Sequence, residues 1–228
     1  MSSRRAAAVT PSMTSPPPQG DRGFAPARRS SRARARVTSR RLHALVTHLA
    51  THSPVALAPG LEWVLDNHFV LRRATRQLRR GLTPAFEARL PLIDERSGLR
   101  RLELEAFAIL REGEGLVDGE LLARRVGEIG RERDASLAEL WALPMVLRLG
   151  LLEQLVLDIP RLLEAKHTPS VDHRVAHCVR SLLMIEKTDW SRFVERVSEV
   201  ERILQRDPSG DYPSMDFTTR DRYRRAVE

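Results

Sequence analysis

Apolar residues recur along most of this chain at the three- and four-residue spacing of an amphipathic α-helix. The segment SRRLHALVTHLA places Leu42, Leu45 and Leu49 on one helical face. Segments with the same period lie at 61–80, 99–112, 118–132, 139–153, 171–187 and 189–205. No run alternates polar with β-branched residues, as a strand would. The pattern therefore predicts an all-α fold, an irregular bundle of about seven to eight helices.

The most apolar stretch, ELWALPMVLRLGLLE at 139–153, is either a membrane span or a core helix. It has only eight residues, Leu140 to Leu147, between charged positions. Arg148 would cost about 2.5–3.5 kcal/mol at a bilayer centre. The longest uncharged run, 42–61, contains three His, two Pro and a Gly. We therefore predict a core helix at 139–153 and no transmembrane segment in the chain.

Composition divides the chain into three parts. Residues 1–37 are rich in Arg, Pro and Ser and are predicted to be a disordered basic tail. The helical domain is predicted to span 38–212. Residues 213–228 are predicted to begin a further helix that stops within about two turns without a C-cap. That segment is either cut from something longer or a frayed terminal helix.

The basic charge is concentrated at the N-terminus. The net charge is +8, yet residues 1–41 hold ten Arg and one Asp, so the remainder is nearly neutral. This distribution argues against a nucleic-acid partner. The tail either touches an anionic membrane surface or is untethered. A single Cys and the absence of an apolar signal region favour the cytoplasm.

Few motifs in the sequence carry chemistry. There is no G-x-S-x-G, no phosphate-binding glycine loop and no D-x-D. We therefore expect no catalytic residue and no cofactor in this chain. His48 and His52, and likewise His173 and His177 beside Cys178, have a spacing that could share a metal. The alternative is that they are ordinary helical histidines, because no motif supplies a third ligand.

An acidic-aromatic set is the other candidate site. Glu62 and Asp66 lie one turn apart around Trp63, and together with Trp141 they could bind or hydrolyse a glycan. Paired catalytic carboxylates normally come from separate elements that flank the sugar, not from one helical turn. The favoured alternative is that the two carboxylates accept hydrogen bonds or an ion pair from elsewhere.

Arg148 is singled out by helical geometry. It falls opposite Glu139 on a helical wheel, on the side that carries Trp141 and Leu152. An arginine on an apolar face must be paired or must reach water. One hypothesis is a structural ion pair of Arg148 with Asp66 or Glu62. The alternative is a side chain that extends past the edge of the core.

Three segments resemble one protein family. They are LEWVLDNHFVL (61–71), SLAELWALPMVLRLGLLE (136–153) and DWSRFVERVSEVERILQRDPSGDYPSMDFTTRDRYRRAVE (189–228). They are similar to the N-terminal helical region of cyclic β-1,2-glucan synthases, which are very large proteins of the bacterial inner membrane. The resemblance spans most of 40–228 and is weakest at 82–135 and 154–188.

The resemblance implies a place in glucan synthesis. Members of that family use UDP-glucose, and a membrane-embedded glucosyltransferase domain makes the transfer. The transferase residues have no counterparts in this sequence, so we expect the chain to precede that domain as a truncated or split piece. The expected location is the cytoplasm, at the inner face of the inner membrane, with the membrane glucosyltransferase portion, fused or separate, as partner.

Three functions are consistent with the sequence. The first is a non-catalytic helical scaffold of a cyclic β-1,2-glucan synthase-like glycosyltransferase. The second is a stand-alone helical protein-interaction domain. The third is a glycan-binding or hydrolytic module. Exposed apolar surface would favour the first, and exposed tryptophans around a concave pocket would favour the third.

Overall fold

The computed structural model describes residues 30–52, 57–94, 99–133, 135–164 and 169–227. In these ranges the chain forms twelve helices and one short two-stranded antiparallel ribbon. The elements are α1 (Ser31–Thr51), α2 (Pro59–Asp66), α3 (His68–Gly81), α4 (Pro84–Ala88), β1 (Leu92–Asp94), β2 (Leu99–Arg100), α5 (Arg101–Glu112), α6 (Gly119–Arg133), α7 (Leu137–Leu163), α8 (Pro169–Lys187), α9 (Trp190–Val197), α10 (Glu199–Leu204), α11 (Asp211–Ser214) and α12 (Phe217–Val227).

The predicted all-α class is confirmed, but the helices outnumber the predicted seven to eight. The extra ones are short. The period at 61–80 continues through Asn67, where the structure divides it into α2 and α3. The segment at 189–205 is likewise divided, because Ser198 caps the start of α10 with its hydroxyl. Periodicity alone does not detect such breaks, since the apolar face continues across them.

Helix α7 is the central element of the fold. It is 27 residues long and begins with a capping box, in which Ser136 Oγ accepts a hydrogen bond from Glu139 N at 3.2 Å and Glu139 Oε2 accepts one from Ser136 N at 3.1 Å. Leu147, Leu149, Leu151 and Leu152 point in different directions around the helix, yet all four are fully buried. A helix that is apolar on all sides must be covered on all sides.

Neighbouring helices supply that cover. α1, α3, α5, α8 and α9 all pack against α7, while α2 packs mainly on α8. By length and composition α7 is also the one described helix that could cross a membrane, although 61% of its most apolar window is buried inside the structure. The prediction of a core helix at 139–153 is thus confirmed by its packing.

Gly150 lies where α5 crosses α7. A Cβ atom added at this position would be 2.5 Å from Leu110 Cδ1 and 3.5 Å from Phe107 Cε1. Both neighbours belong to α5 and are buried. The missing side chain therefore permits the close approach of these two helices, which accounts for a residue of low helix propensity in the middle of a core helix.

The N-terminal boundary of the helical region differs from the predicted one. α1 begins at Ser31, inside the range 1–37 that was assigned to the tail, and Ser30 caps it by accepting a hydrogen bond from Ala33 N. Arg34 is only 4% exposed and binds two carboxylates. Composition alone indicates a solvated Arg-rich segment here, because the acidic partners of Arg34 are distant in sequence. Residues 1–29 lie outside the described residues.

We predict that Gly150→Val lowers the free energy of unfolding by about 2 kcal/mol, because the new side chain overpacks the α5–α7 contact. Gly127→Val is the matched control, since a Cβ there meets nothing within 4 Å. It should change stability by less than about 0.5 kcal/mol. Urea unfolding followed by circular dichroism measures both. Equal effects at the two positions would show that Gly150 is not a packing site.

Candidate functional site

The acidic-aromatic candidates do not form one pocket. Glu62, Trp63 and Asp66 are all exposed on α2, and Trp63 retains 41% of its surface. The groove of about 1570 Å³ beside α2 is lined by other residues, mainly of α1 and α3. The set is therefore an exposed helical turn, without the enclosing walls that a glycan site normally has.

Trp141 lies in a different environment from Trp63. It is half-buried on α7, and its ring contacts Phe217 of α12 edge to face, with centroids 6.4 Å apart and an interplanar angle of 79°. Its Nε1 is buried and has no hydrogen-bond partner within the described part of the chain. The contact joins the core helix to the last helix, so Trp141 acts here as a packing residue.

The predicted ion pair of Arg148 with Asp66 or Glu62 is wrong. Arg148 is 9% exposed, and its Nη1 donates one long hydrogen bond, 3.4 Å, to Pro144 O in the preceding turn. It makes no ion pair with any described residue. The reason is topological: α2 packs on α8, so its carboxylates do not reach this face of α7.

The charges nearest to Arg148 pair with each other. Arg73 Nη1 of α3 lies 2.6 Å from Glu186 Oε1 of α8. Burial lowers the pKa of the Arg148 guanidinium, the Glu186 charge opposes this change, and the Arg73 charge reinforces it. Arg148 is thus a buried cation without a carboxylate of its own, which neither hypothesis from the sequence described.

The histidine candidates have ordinary contacts. His173 is exposed, and His177 Nδ1 lies 3.3 Å from Glu114 O. Cys178 is fully buried, and burial raises the pKa of its thiol. His48 and His52 stack at 4.8 Å near the end of α1. Among the described residues, no three His, Cys, Asp or Glu side chains come close enough to hold a metal.

The sequence pattern does not predict the carboxylates that bind Arg34, of which one is buried and the other half-buried. Glu103 of α5 and Glu153 of α7 both bind Arg34, whose Nε and Nη2 contact Glu153 at 2.9 and 2.7 Å. Ser31 Oγ donates to Glu103 at 2.6 Å. Burial opposes the charge on Arg34, but Glu153 and Glu103 outweigh it and raise its pKa. Acidic residues within apolar helical segments were the available signal.

Asp158 is a fully buried carboxylate on α7. It is 0% exposed and accepts hydrogen bonds from Arg174 Nε at 2.7 Å and Nη2 at 3.0 Å, a bidentate pair with α8. Gln154 and Arg161 of α7 donate to the same carboxylate at 2.7 and 3.0 Å. All of its neighbours are protein groups of two packed helices, so Asp158 is a structural acid.

A third ion-pair cluster occupies the C-terminal segment. We call it the C-terminal cluster; its central carboxylate is Glu201 of α10. Tyr212 OH donates to Glu201 Oε2 at 2.6 Å, and Arg224 Nη1 of α12 donates to the same oxygen at 2.5 Å. Arg220 Nη2 binds Glu195 of α9 at 2.7 Å. Arg224 is 0% exposed and stacks over Phe217 at 5.1 Å.

The loop before α12 positions this cluster. Asp207 accepts hydrogen bonds from Ser209 N at 3.1 Å and Tyr212 N at 3.2 Å, and Gly210 has a φ of 73° that favours glycine. Asp216 then caps α12 by accepting from Thr219 N at 3.1 Å. Each of these residues belongs to the segment 189–228, which carried the most specific resemblance. The local structure of this segment thus accounts for these residue types.

The cluster shifts the pKa values of its members. Burial opposes the charge on Glu201, but hydrogen bonds from Gln205, Tyr212 and Arg224 outweigh it and lower the pKa. Burial and the Glu201 carboxylate raise the pKa of Tyr212 to about 12. Glu201 therefore stabilises the fold above the ordinary glutamate pKa of about 4.3, and this contribution is lost as the pH falls through its lowered value.

The described residues thus define an all-α module in which several arginine–carboxylate pairs join neighbouring helices. No protein-family model matches the chain. A stretch of 102 residues is 31% identical to the cyclic beta-(1,2)-glucan synthase NdvB of Rhizobium meliloti (strain 1021), covering 44% of this chain and 4% of that protein. The identity supports a distant relationship to that synthase, of which the chain matches a small part.

We predict that Arg148→Met leaves the free energy of unfolding within about 1 kcal/mol of wild type, or raises it, because no ion pair is broken. Arg174→Met should instead lower it by about 3 kcal/mol, because Asp158 loses its bidentate partner. Chemical denaturation measures both. Adding Asp66→Asn should not alter the effect of Arg148→Met, and a coupling above about 0.5 kcal/mol would reveal a pair that the structure lacks.

A spectroscopic titration tests the C-terminal cluster. The chain has two tyrosines, so Tyr223→Phe leaves Tyr212 as the sole source of tyrosinate absorbance. We expect that absorbance to appear with a midpoint of about pH 12, above the ordinary value of about 10, and to shift downward in Glu201→Gln. The free energy of unfolding should fall between about pH 10 and 12. A midpoint near pH 10 would contradict the buried hydrogen bond.

Proposed function

We propose that this chain is a non-catalytic helical scaffold module of a cyclic β-1,2-glucan synthase-like glycosyltransferase. The observation that carries the proposal is how the most family-like segment is used. Glu195, Glu201, Tyr212, Arg220 and Arg224 of that segment contact one another in the C-terminal cluster and do not line an open cleft. The distant relationship to NdvB supports the same assignment.

Exposed apolar side chains on the segment 189–228 support the proposal that it contacts a partner. Ile203 of α10 and Tyr223 and Val227 of α12 are 56%, 49% and 62% exposed. α10 and α12 pack together, so these large apolar side chains belong to one small unit. Exposed apolar side chains in one region are typical of contact surfaces. The C-terminal cluster would hold this surface rigid.

The proposed partner is the membrane glucosyltransferase portion, whether fused to this chain or separately encoded. In this arrangement the partner binds UDP-glucose and transfers glucose, and the chain supports it at the inner face of the inner membrane. The basic tail would then lie beside an anionic lipid surface. We propose neither a cofactor site nor a nucleic-acid contact for the chain in this function.

A stand-alone protein-interaction domain is the second candidate, because the same exposed side chains would serve a soluble partner equally well. The glycan-binding alternative has weaker support: Trp63 is exposed, but Trp141 packs on α12.

Co-purification tests the proposal. The chain is co-expressed with the membrane glucosyltransferase portion of a cyclic β-1,2-glucan synthase from the same genome, and the complex is captured in mild detergent. We expect Ile203→Ser with Tyr223→Ser to lower recovery about tenfold or more, because each side chain loses the free energy of apolar burial. Phe69→Ser with Leu157→Ser is the matched control, since these residues are 57% and 44% exposed elsewhere.

Activity provides the second measurement. Incorporation of radiolabelled glucose from UDP-glucose into glucan should require the transferase portion and should be absent with the purified chain alone. Turnover by the chain alone would contradict the non-catalytic assignment. Failure of the wild-type chain to bind the transferase would contradict the scaffold, and a soluble partner captured through Ile203 would establish the second candidate.

A further inference from the structure

Two adjacent helices carry a strong, one-signed charge. α1 contains five arginines and α3 contains five, and neither helix contains an Asp or a Glu. In the sequence, the arginines of α1 lie in or beside the predicted basic tail, and the remainder of the chain is nearly neutral. The structure instead packs α1 against α3 and brings both sets of arginines together.

Most of these arginines are not used inside the fold. Arg34 binds Glu103 and Glu153, and Arg73 binds Glu186. The other eight are exposed and have no ion pair with any described residue, and six of them lie on one cleft: Arg36, Arg40, Arg72, Arg76, Arg79 and Arg80. All six line the cleft of about 1570 Å³ between α1 and α3, which we call the arginine groove. No acidic side chain is among the described residues that line it.

The floor of the arginine groove is apolar. Leu42 and Leu71 are buried at its base, and Val46 and Leu65 are half-buried beside them. The lining runs from Arg36 to Thr51 on one wall, which at 1.5 Å per residue is about 22 Å. A recessed aliphatic strip between two basic rims has the dimensions of about four turns of helix.

These features identify the chemistry of an occupant. The six exposed guanidinium groups favour an anionic partner, and they match carboxylates in geometry as well as in charge. The aliphatic floor requires apolar side chains at helical spacing. Among the described residues that line the groove there is no Phe, Tyr or Trp, whereas single-stranded nucleic acid is normally held by stacking on such rings. A bilayer surface is flat and does not fill a recess.

We propose that the arginine groove binds an acidic amphipathic α-helix of a partner polypeptide. The leucine-type face of that helix lies on Leu42, Val46, Leu65 and Leu71, and its flanking carboxylates pair with the arginines of the two rims. The N-terminal tail of this chain is not the occupant, because it is itself basic. The proposal is independent of the glucan synthase assignment, since it concerns a different surface.

A designed peptide tests this site on the full chain. The probe is a fluorescein-labelled helix of about 15 residues with leucines at i, i+3, i+4 and i+7 and glutamates beside them. Fluorescence anisotropy measures its binding. We expect saturable binding that weakens as salt rises from about 0.05 to about 0.3 M, because exposed ion pairs are screened.

Charge reversal provides the matched comparison. Arg40→Glu with Arg76→Glu should raise the Kd for the peptide about tenfold, because two attractive pairs become repulsive. Arg41→Glu with Arg180→Glu changes the net charge equally at exposed positions outside the groove, and it should leave the Kd within about twofold. All four positions are exposed, and circular dichroism verifies that both variants fold.

Four outcomes would overturn the proposal. The first is equal binding of a scrambled peptide of the same composition, which would show that charge alone acts. The second is tighter binding of a single-stranded oligonucleotide or of phosphatidylglycerol vesicles that is lost in Arg40→Glu with Arg76→Glu. The third is no binding of the peptide at low salt. An equal loss in the control variant would also contradict a defined groove.

Discussion

The burial of α7 over most of its surface is the constraint on which the rest of the structure depends. A helix without a polar face can be stable in water only inside a shell of other helices. α7 has three acidic residues, and each binds an arginine from a different neighbour: Glu139 binds Arg101 of α5, Glu153 binds Arg34 of α1, and Asp158 binds Arg174 of α8. Buried pairs of this kind contribute little net stability, but breaking one is costly. These ion pairs fix the position along α7 at which each neighbouring helix packs.

The sequence could predict the features that depend on local residue spacing, but not those that depend on contacts between distant residues. The all-α class, the core helix at 139–153 and the apolar position of Arg148 follow from residue spacing, which is a local property. The partners of Arg34 are 69 and 119 residues away, so no periodicity could indicate them. The partner proposed for Arg148 was wrong for the same reason, because it required the packing of α2 to be known. Short helices were missed where caps interrupt a continuous apolar face.

Arginine has two separate uses in this molecule. In one, the planar guanidinium lies within the fold and binds carboxylates of packed helices, as Arg174 and Arg224 do. In the other, on the walls of the arginine groove, it faces solvent without an acidic neighbour in the described chain. Arginine content alone does not separate the two uses, because the whole chain is rich in arginine. Only the position of the acids distinguishes them: α1 and α3 have none, whereas α5, α6 and α7 have three each.

Because Cys178 is buried, the reactivity of its thiol reports on the opening of the fold. It is the sole thiol of the chain and is fully enclosed on α8, where a Cβ atom at Gly115 would come within 2.9 Å of its Sγ. An alkylating reagent can reach this sulfur only in molecules whose α8 has separated from its neighbours. The rate of alkylation at low denaturant therefore measures how often the centre of the domain opens, at one known atom and without an attached label.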